Sequence, residues 1–250
     1  MKVNNWLLLR GWSREVRHWS DFPVHLKRAL GRGSKVIALD LPGAGTEFKR
    51  LSPLTVGGIV EDVRSRFTLI RPKGPCGILG LSLGGMVALE WLSKYPKDFE
   101  SGVVINSSAS DIGPFWKRLR PQAMRSLVEV VRKETHEDRE REILKIVSNL
   151  RQDDAKVLEE WHKATSSAPV SITNAAAQLA AGASFKTPKH IAAALVILSS
   201  AEDKMVDEAS SYLLAKRLDC KHFSHPTAGH DLTLDDPKWV AQHVAKYAAG

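Results

Sequence analysis

Residues 76–86 read Cys-Gly-Ile-Leu-Gly-Leu-Ser-Leu-Gly-Gly-Met, and this stretch decides the fold. An apolar run of strand type leads into the pattern Gly-x-Ser-x-Gly, from Gly80 to Gly84, and a helical pattern follows directly. A serine on a sharp turn between strand and helix needs strained backbone angles and small neighbours, which the two glycines supply. The hydroxyl then stands at the positive end of the helix, where developing negative charge is favoured. The stretch predicts Ser82 as a nucleophile.

Outward from this stretch, short runs rich in Val, Ile and Leu alternate with longer amphipathic segments. Such alternation is typical of a parallel sheet covered by helices on both faces. The predicted strands are 6–9, 35–39, 76–80, 102–106, 195–199 and 220–224. The predicted helices are about 19–30, 56–67, 83–95, 207–218 and 237–248. We therefore expect an α/β fold with a mostly parallel sheet of about six strands.

One region, residues 111–185, has no strand pattern and shows only helical periodicity rich in Arg, Glu, Leu and Ala. It is too long for a loop, so we interpret it as a helical cap. The core is then formed by residues 1–110 and 186–250. An insertion at the edge where the strands end is well placed to cover a pocket.

A serine hydroxyl is a poor nucleophile until a base takes its proton, so the hypothesis requires a histidine on a loop after a late strand. His230 follows the last predicted strand and precedes the C-terminal helix, and Gly229 allows its loop to turn inward. The order Ser, acid, His favours this interpretation over an ordinary surface histidine.

The acid should follow the strand 195–199, where Glu202 and Asp203 are the two candidates. We choose Asp203, because the Met-Val pair after it can anchor the loop and because its spacing to the next helix suits the expected order. Asp207 is better explained as the N-cap of that helix.

Two backbone amides must converge on the oxyanion that forms during the reaction. Leu83, directly after the nucleophile, supplies one by the geometry of the turn. We assign the second to Trp12, since Gly11 lets the loop after the first strand come close. The Trp12 indole is expected to line the substrate pocket, and the alternative is a core tryptophan with no role in binding.

The overall composition bears on the binding partners, the location and the role of the cysteines. The 250 residues are 43% hydrophobic and carry a formal net charge of +8. The basic charge is scattered and lacks interleaved aromatic residues, so we expect no nucleic-acid partner and no membrane partner. The apolar block near the N-terminus is too short for a signal peptide, and we expect a cytoplasmic protein. Cys76 and Cys220 have no companion residues and are expected to lie in the core.

A run of basic residues opens the predicted cap and has two interpretations. In the first, the run docks an acidic acyl-carrier protein or an acyl-CoA. In the second, it is a solvated helix face. We favour the second interpretation, because acidic residues balance the basic ones in the rest of the cap. The run comprises Lys117, Arg118, Arg120, Arg125, Arg132 and Lys133, with Glu129 as its one acidic member.

Four segments, in order, resemble the α/β-hydrolase superfamily. Residues 10–12 are similar to its oxyanion segment, 40–45 to its Asp-x-Pro-Gly-x-Gly turn, 80–85 to its nucleophile turn and 229–231 to its histidine loop. In size and cap the chain resembles the short carboxylesterases that include the pimeloyl-[acyl-carrier protein] methyl ester esterases. It departs from the family pattern at Arg10, where the usual residue is His.

The resemblance implies an α/β-hydrolase fold and a carboxylic-ester hydrolase that uses Ser82, His230 and Asp203. A small-molecule ester or acyl compound is the expected substrate, with no metal or organic cofactor. Two alternatives stay open at the level of sequence. One is a thioesterase or carbon–carbon bond hydrolase with the same three residues, and the other is a non-catalytic binding protein of the same fold.

Overall fold

The structure is a computed structural model that describes residues 2–113 and 118–248. Its centre is one six-stranded sheet in the order β2-β1-β3-β4-β5-β6, and every pair of neighbouring strands is parallel. The α/β-hydrolase fold class is confirmed. The strands are β1 (Asn5–Leu9), β2 (Lys35–Leu39), β3 (Cys76–Leu81), β4 (Ser101–Ile105), β5 (Ala194–Ser200) and β6 (Lys221–His225).

Ten α-helices lie in the described part of the chain. They are α1 (Phe22–Leu30), α2 (Val56–Ile70), α3 (Leu83–Lys94), α4 (Pro121–Arg132), α5 (His136–Val147), α6 (Ala155–Ser167), α7 (Ile172–Ser184), α8 (Glu208–Arg217), α9 (Leu232–Asp235) and α10 (Pro237–His243). Short 3-10 turns occur at Val16–Trp19 and Gly45–Glu47, and a π-helical turn at Val244–Ala248 ends the described chain.

The core consists of two apolar layers, one on each face of the sheet. In β1, Leu7 and Leu9 belong to the layer shared with α2, α3 and α8, whereas Trp6 and Leu8 face the layer shared with α1 and α10. Both sets are buried because alternate side chains of a strand point to opposite faces. Coverage on both faces explains why the fully buried strands β1, β3 and β4 are mostly apolar along their length and do not alternate with polar residues.

All six predicted strands form; β2 has the predicted bounds, and no end of the other five differs from its predicted position by more than one residue. The first predicted helix began at residue 19, but α1 begins at Phe22, because Val16–Trp19 is a separate 3-10 turn and Pro23 then opens the helix. Proline is favoured in a first helical turn, where its missing amide hydrogen is not needed. The short helix α9 was not predicted.

In the described part of the segment between β4 and β5 lie the four helices α4 to α7, within the region predicted to be helical. Three of them begin at a side-chain cap. Thr135, Asp154 and Ser171 each accept a hydrogen bond from an amide of the first turn. A separate apolar cluster, which includes Leu144 and Trp161, packs α5 and α6 onto Leu234 of α9.

Parallel strands end at the same edge of a sheet, so the segments that follow β1, β3, β4, β5 and β6 meet there. All the predicted site residues lie in these segments. Separately, none of the helices in residues 2–113 and 118–248 combines the length and the apolar character needed to span a membrane.

Candidate active site

Ser82 occupies the turn between β3 and α3 with φ 56° and ψ −117°, a left-handed backbone that a non-glycine residue adopts only under constraint. The flanking glycines are required for space. A Cβ on Gly80 would lie 2.0 Å from the Gly84 carbonyl oxygen, and a Cβ on Gly84 would lie 2.2 Å from that of Leu9. The turn therefore has the tight geometry that its sequence predicts.

The Ser82 backbone is held from the neighbouring strand. Its amide donates to the carbonyl of Ile105 at 2.8 Å, and its carbonyl accepts from the Ser107 hydroxyl at 2.9 Å. The residue is partly exposed, in contrast with the fully buried strand before it. Ser82 is thus fixed in place and open to the outside.

His230 and Asp203 are in direct contact, with Nδ1 of the imidazole 2.7 Å from Oδ2 of the carboxylate. Both side chains are buried. A carboxylate only accepts, so Nδ1 is the donor, and in the neutral imidazole Nε2 then carries the lone pair of a base. Among the described residues, no hydrogen bond joins the Ser82 hydroxyl to His230, and such bonds often form only when substrate is present.

The Asp203 carboxylate is also held by backbone. Its Oδ1 accepts from the amides of Met205 at 2.7 Å and Val206 at 3.0 Å. The Met-Val pair therefore anchors the acid through its amides. Glu202 is exposed, so the structure favours Asp203 as the partner of the histidine. Asp207 caps α8 through a bond from the Ala209 amide, as predicted.

Asn106 joins three of these segments and was missed at the level of sequence. It follows β4 with φ 46°, and its Nδ2 donates to the carbonyl of His230 at 2.8 Å and to the Ser200 hydroxyl at 3.1 Å. Its Oδ1 accepts from the Ser200 amide. The available signal was a set of polar residues, 106–108, directly after a buried strand.

The loop after β1 lies against the nucleophile turn. A Cβ on Gly11 would be 3.2 Å from the Cβ of Ser82, so the Gly11 backbone passes beside the serine. Leu83 is the first residue of α3, where an amide has no acceptor within its own helix. Two hydrogen bonds tie the loop after β1 to α7. The Trp12 indole donates to the Ala175 carbonyl, and the Ser13 amide donates to Oε1 of Gln178. The loop that carries Trp12 thus passes beside Ser82, and Leu83 directly follows Ser82 in the chain.

Arg10, the departure from the family pattern, is buried and forms a two-pronged ion pair with Asp231. Its guanidinium also lies 4.7 Å from the ring centre of Trp19. Burial raises the pKa of Asp231, but the charge of Arg10 and the hydroxyl of Thr233 outweigh burial and hold that pKa below its usual value. The residue next to His230 is therefore an ionised, fully paired carboxylate.

Both cysteines are free, with Cys76 buried and Cys220 half-buried. Burial raises the pKa of both thiols, and that of Cys220 reaches about 12. Because the thiolate is the reactive form, neither thiol competes with Ser82 as a nucleophile near neutral pH. In the described ranges, no three His, Cys, Asp or Glu side chains are grouped so as to bind a metal ion.

The described residues of the predicted basic run do not all lie at the surface. Arg118 is buried and donates to the Ser108 hydroxyl and the Ala183 carbonyl, so it does not belong to a solvated helix face. Arg125 and Arg132 are exposed on α4, and Arg132 pairs with Glu129. Lys117 lies outside the described residues.

Comparison with curated proteins finds one relative that matches about a third of the chain. A curated relative, the biotin biosynthesis bifunctional protein BioHC of Teredinibacter turnerae, is 33% identical over 93 residues, which are 36% of this chain and 15% of that protein. This chain therefore matches only a small part of that relative's length.

Two solved structures share the fold at low identity. A membrane phospholipase A described as a bacterial virulence factor superposes with a TM-score of 0.78 at 21% identity, over 98% of this chain and 78% of the other. The enol-lactonase of Burkholderia xenovorans LB400 superposes with a TM-score of 0.77 at 14% identity, over 99% of this chain and 92% of the other. The family model described as "Alpha/beta hydrolase family" matches residues 6–243. The chain is therefore a member of the α/β-hydrolase family.

Proposed function

We propose that this hydrolase cleaves a carboxylic ester through an acyl-enzyme formed on Ser82. The observation that carries the proposal is the 2.7 Å contact between His230 and Asp203 at the sheet edge where the strained Ser82 turn lies. A buried acid that fixes the imidazole, together with a partly exposed serine on a tight turn, is the arrangement that nucleophilic acyl transfer requires.

In the proposed mechanism, the Ser82 hydroxyl attacks the ester carbonyl carbon while His230 Nε2 takes the hydroxyl proton. The imidazolium that forms is stabilised by the Asp203 carboxylate. The amides of Trp12 and Leu83 donate to the oxyanion of the tetrahedral intermediate. His230 then gives its proton to the leaving alcohol, and the acyl group stays on Ser82.

Deacylation repeats these steps with water as the nucleophile. His230 takes a proton from water, the resulting hydroxide attacks the acyl-enzyme carbonyl, and His230 returns the proton to the Ser82 oxygen as the carboxylic acid leaves. Each covalent step is thus balanced by residues of this chain and one water molecule.

Comparison with relatives supports an ester as the substrate, because a phospholipase A and an enol-lactonase both act on carboxylic esters and share this fold. The match to BioHC supports the narrower proposal of a methyl ester of an acyl chain. An acidic carrier for that chain would meet the exposed arginines of α4, Arg125 and Arg132.

A substrate panel tests the proposal. Wild-type protein and Ser82→Ala are assayed with p-nitrophenyl esters, acyl methyl esters, acyl-CoA thioesters and a vinylogous diketone. The proposal expects ester turnover that Ser82→Ala abolishes while the melting temperature is retained. Faster turnover of thioesters or of the diketone contradicts the ester assignment, and folded protein that hydrolyses none of the panel contradicts the enzyme assignment.

A further inference from the structure

Residues 148–150 begin the linker between α5 and α6, and they reach the loops of both His230 and Asp203. The Nδ2 of Asn149 donates to the carbonyl of Glu202 at 3.0 Å and to the carbonyl of Thr227 at 3.2 Å. Glu202 directly precedes Asp203, and Thr227 lies three residues before His230. One amide group of the cap region therefore bridges the loop of the acid and the loop of the base.

The carboxylate of Asp235 fastens the same linker to the histidine loop. Its Oδ2 accepts from the amides of Gly229 at 2.7 Å and Asn149 at 2.9 Å, and its Oδ1 accepts from the Ser148 hydroxyl at 2.5 Å. Gly229 directly precedes His230. Three hydrogen bonds to one carboxylate therefore attach the linker to the histidine loop.

The histidine loop is also in close backbone contact with the end of α5. The Asp231 amide donates to the Val147 carbonyl at 2.7 Å, and a Cβ on Gly229 would lie 2.7 Å from that same oxygen. Both neighbours of His230 in the chain therefore lie against the end of α5. A shift of the linker moves the histidine loop with it.

The bridge matters because the histidine and its acid come from different strands. Their contact depends on the spacing between two loops, and each loop contributes one carbonyl to Asn149. The Oδ1 of Asn149 is buried without a partner among the described residues, so the Nδ2 half of the amide makes all of the side chain's hydrogen bonds. Misplacement by about 1 Å at such a site lowers rates about 100-fold.

We propose that Asn149 is a positioning residue that sets the distance between the Asp203 loop and the His230 loop, with Asp235 holding its backbone. This inference rests on the proposed function of Ser82, His230 and Asp203. At its α5–α6 linker, the cap is then part of the scaffold of the reacting residues. It is not a detached lid there.

The test uses Asn149→Leu, which keeps the shape and removes both donors, and Asn149→Ser, a milder change that lets water replace them. Asn174→Leu is the matched control. Asn174 also ties the cap region to the core, since its Nδ2 donates to the Arg50 carbonyl at 3.0 Å and its Oδ1 accepts from the Ser52 amide at 2.9 Å. Among the described residues, no hydrogen bond joins the Asn174 side chain to the Asp203 loop or to the His230 loop.

We measure kcat and KM with a p-nitrophenyl ester, the rate constant for labelling by a fluorophosphonate, and the melting temperature. Both Asn149 variants should lose about 10- to 100-fold in kcat and in labelling rate, with KM changed less than about threefold. Asn174→Leu should lower the melting temperature and keep kcat within about threefold of wild type.

A proton NMR spectrum gives a readout that does not depend on turnover. The Nδ1 proton shared between His230 and Asp203 should give a far-downfield signal that is absent in His230→Ala. We expect this signal to shift or broaden in the Asn149 variants and to persist in Asn174→Leu.

One outcome overturns this inference alone: the wild-type protein is active, and the Asn149 variants lose thermal stability but keep kcat, the labelling rate and the downfield signal. Folded wild-type protein that neither turns over esters nor labels overturns the proposed function, and the inference falls with it.

Discussion

Arg10 and Asp231 form a buried ion pair that joins the loop after β1 to the loop of His230. The two guanidinium contacts reach both carboxylate oxygens, and Thr233 and Leu234 complete the hydrogen bonds of Asp231. The segment that supplies a proposed oxyanion donor is thereby tied to the segment that supplies the base. Arginine at a position where the family usually has histidine thus has a structural partner in this chain.

The first prediction concerns this ion pair. Arg10→Met should lower the free energy of unfolding by about 3–5 kcal/mol, because it leaves the Asp231 carboxylate buried without its counter-charge. Denaturant unfolding at neutral pH measures the change. The double variant Arg10→Met, Asp231→Asn should be more stable than the sum of the two single effects, and additive effects would show that the two side chains are not coupled.

The second prediction concerns His18, which is buried against Trp161 of α6. Burial, with the nearby charges of Arg14 and Arg10, lowers the pKa of His18 well below its usual value. The unfolded chain takes up this proton near pH 6.5 and the folded chain does not, so the free energy of unfolding should fall as pH drops below about 6.5. One such group accounts for up to about 1.4 kcal/mol per pH unit.

Unfolding curves at pH 7.5, 6.5 and 5.5 measure this slope. His18→Asn keeps an acceptor for the Glu15 amide, which donates to Nδ1 in the wild type, and should make the slope shallower. His190→Asn, at an exposed histidine, is the control and should leave the slope as in wild type. Equal slopes in all three proteins would contradict the prediction.

The third prediction concerns the space at the nucleophile turn. Gly84→Ala should lower the free energy of unfolding by about 3 kcal/mol or more, because the added carbon would lie 2.2 Å from the Leu9 carbonyl oxygen and β1 would have to move. Gly57→Ala in α2 is the matched control, since its nearest contact there would be 3.5 Å. The control should be about 0.5–1 kcal/mol more stable than wild type, and similar losses in both variants would contradict the steric account.

The sequence predicts most of what depends on local pattern. The alternation of short strand patterns with helical ones predicts all six strands, and the spacing of glycines around Ser82 predicts the strained turn. The choice of Asp203 used a local cue, the residues at 205 and 206, and it is the amides of these residues that donate to the Asp203 carboxylate. Helix α9 has only four residues, which is too few to show helical periodicity.

Contacts between residues far apart in sequence were not predicted. Arg10 and Asp231 are separated by 221 positions, and Asn106 and His230 by 124. No local pattern records which loops meet at the sheet edge, so a single sequence identifies Asn106 and Asn149 only as polar residues near strand or helix ends. The hydrogen-bond partners of Asn106 and Asn149 are identified only in the folded structure, where the strands set the spacing of those loops.

The most direct test of the account is the site of covalent labelling. Folded wild-type protein is treated with a fluorophosphonate, digested, and mapped by mass spectrometry, with Ser82→Ala and His230→Ala treated in parallel. The account predicts one adduct, on Ser82, that is absent in Ser82→Ala and forms at least about 100-fold more slowly in His230→Ala. An adduct on another residue, or unlabelled Ser82 in protein that still hydrolyses esters, would contradict it.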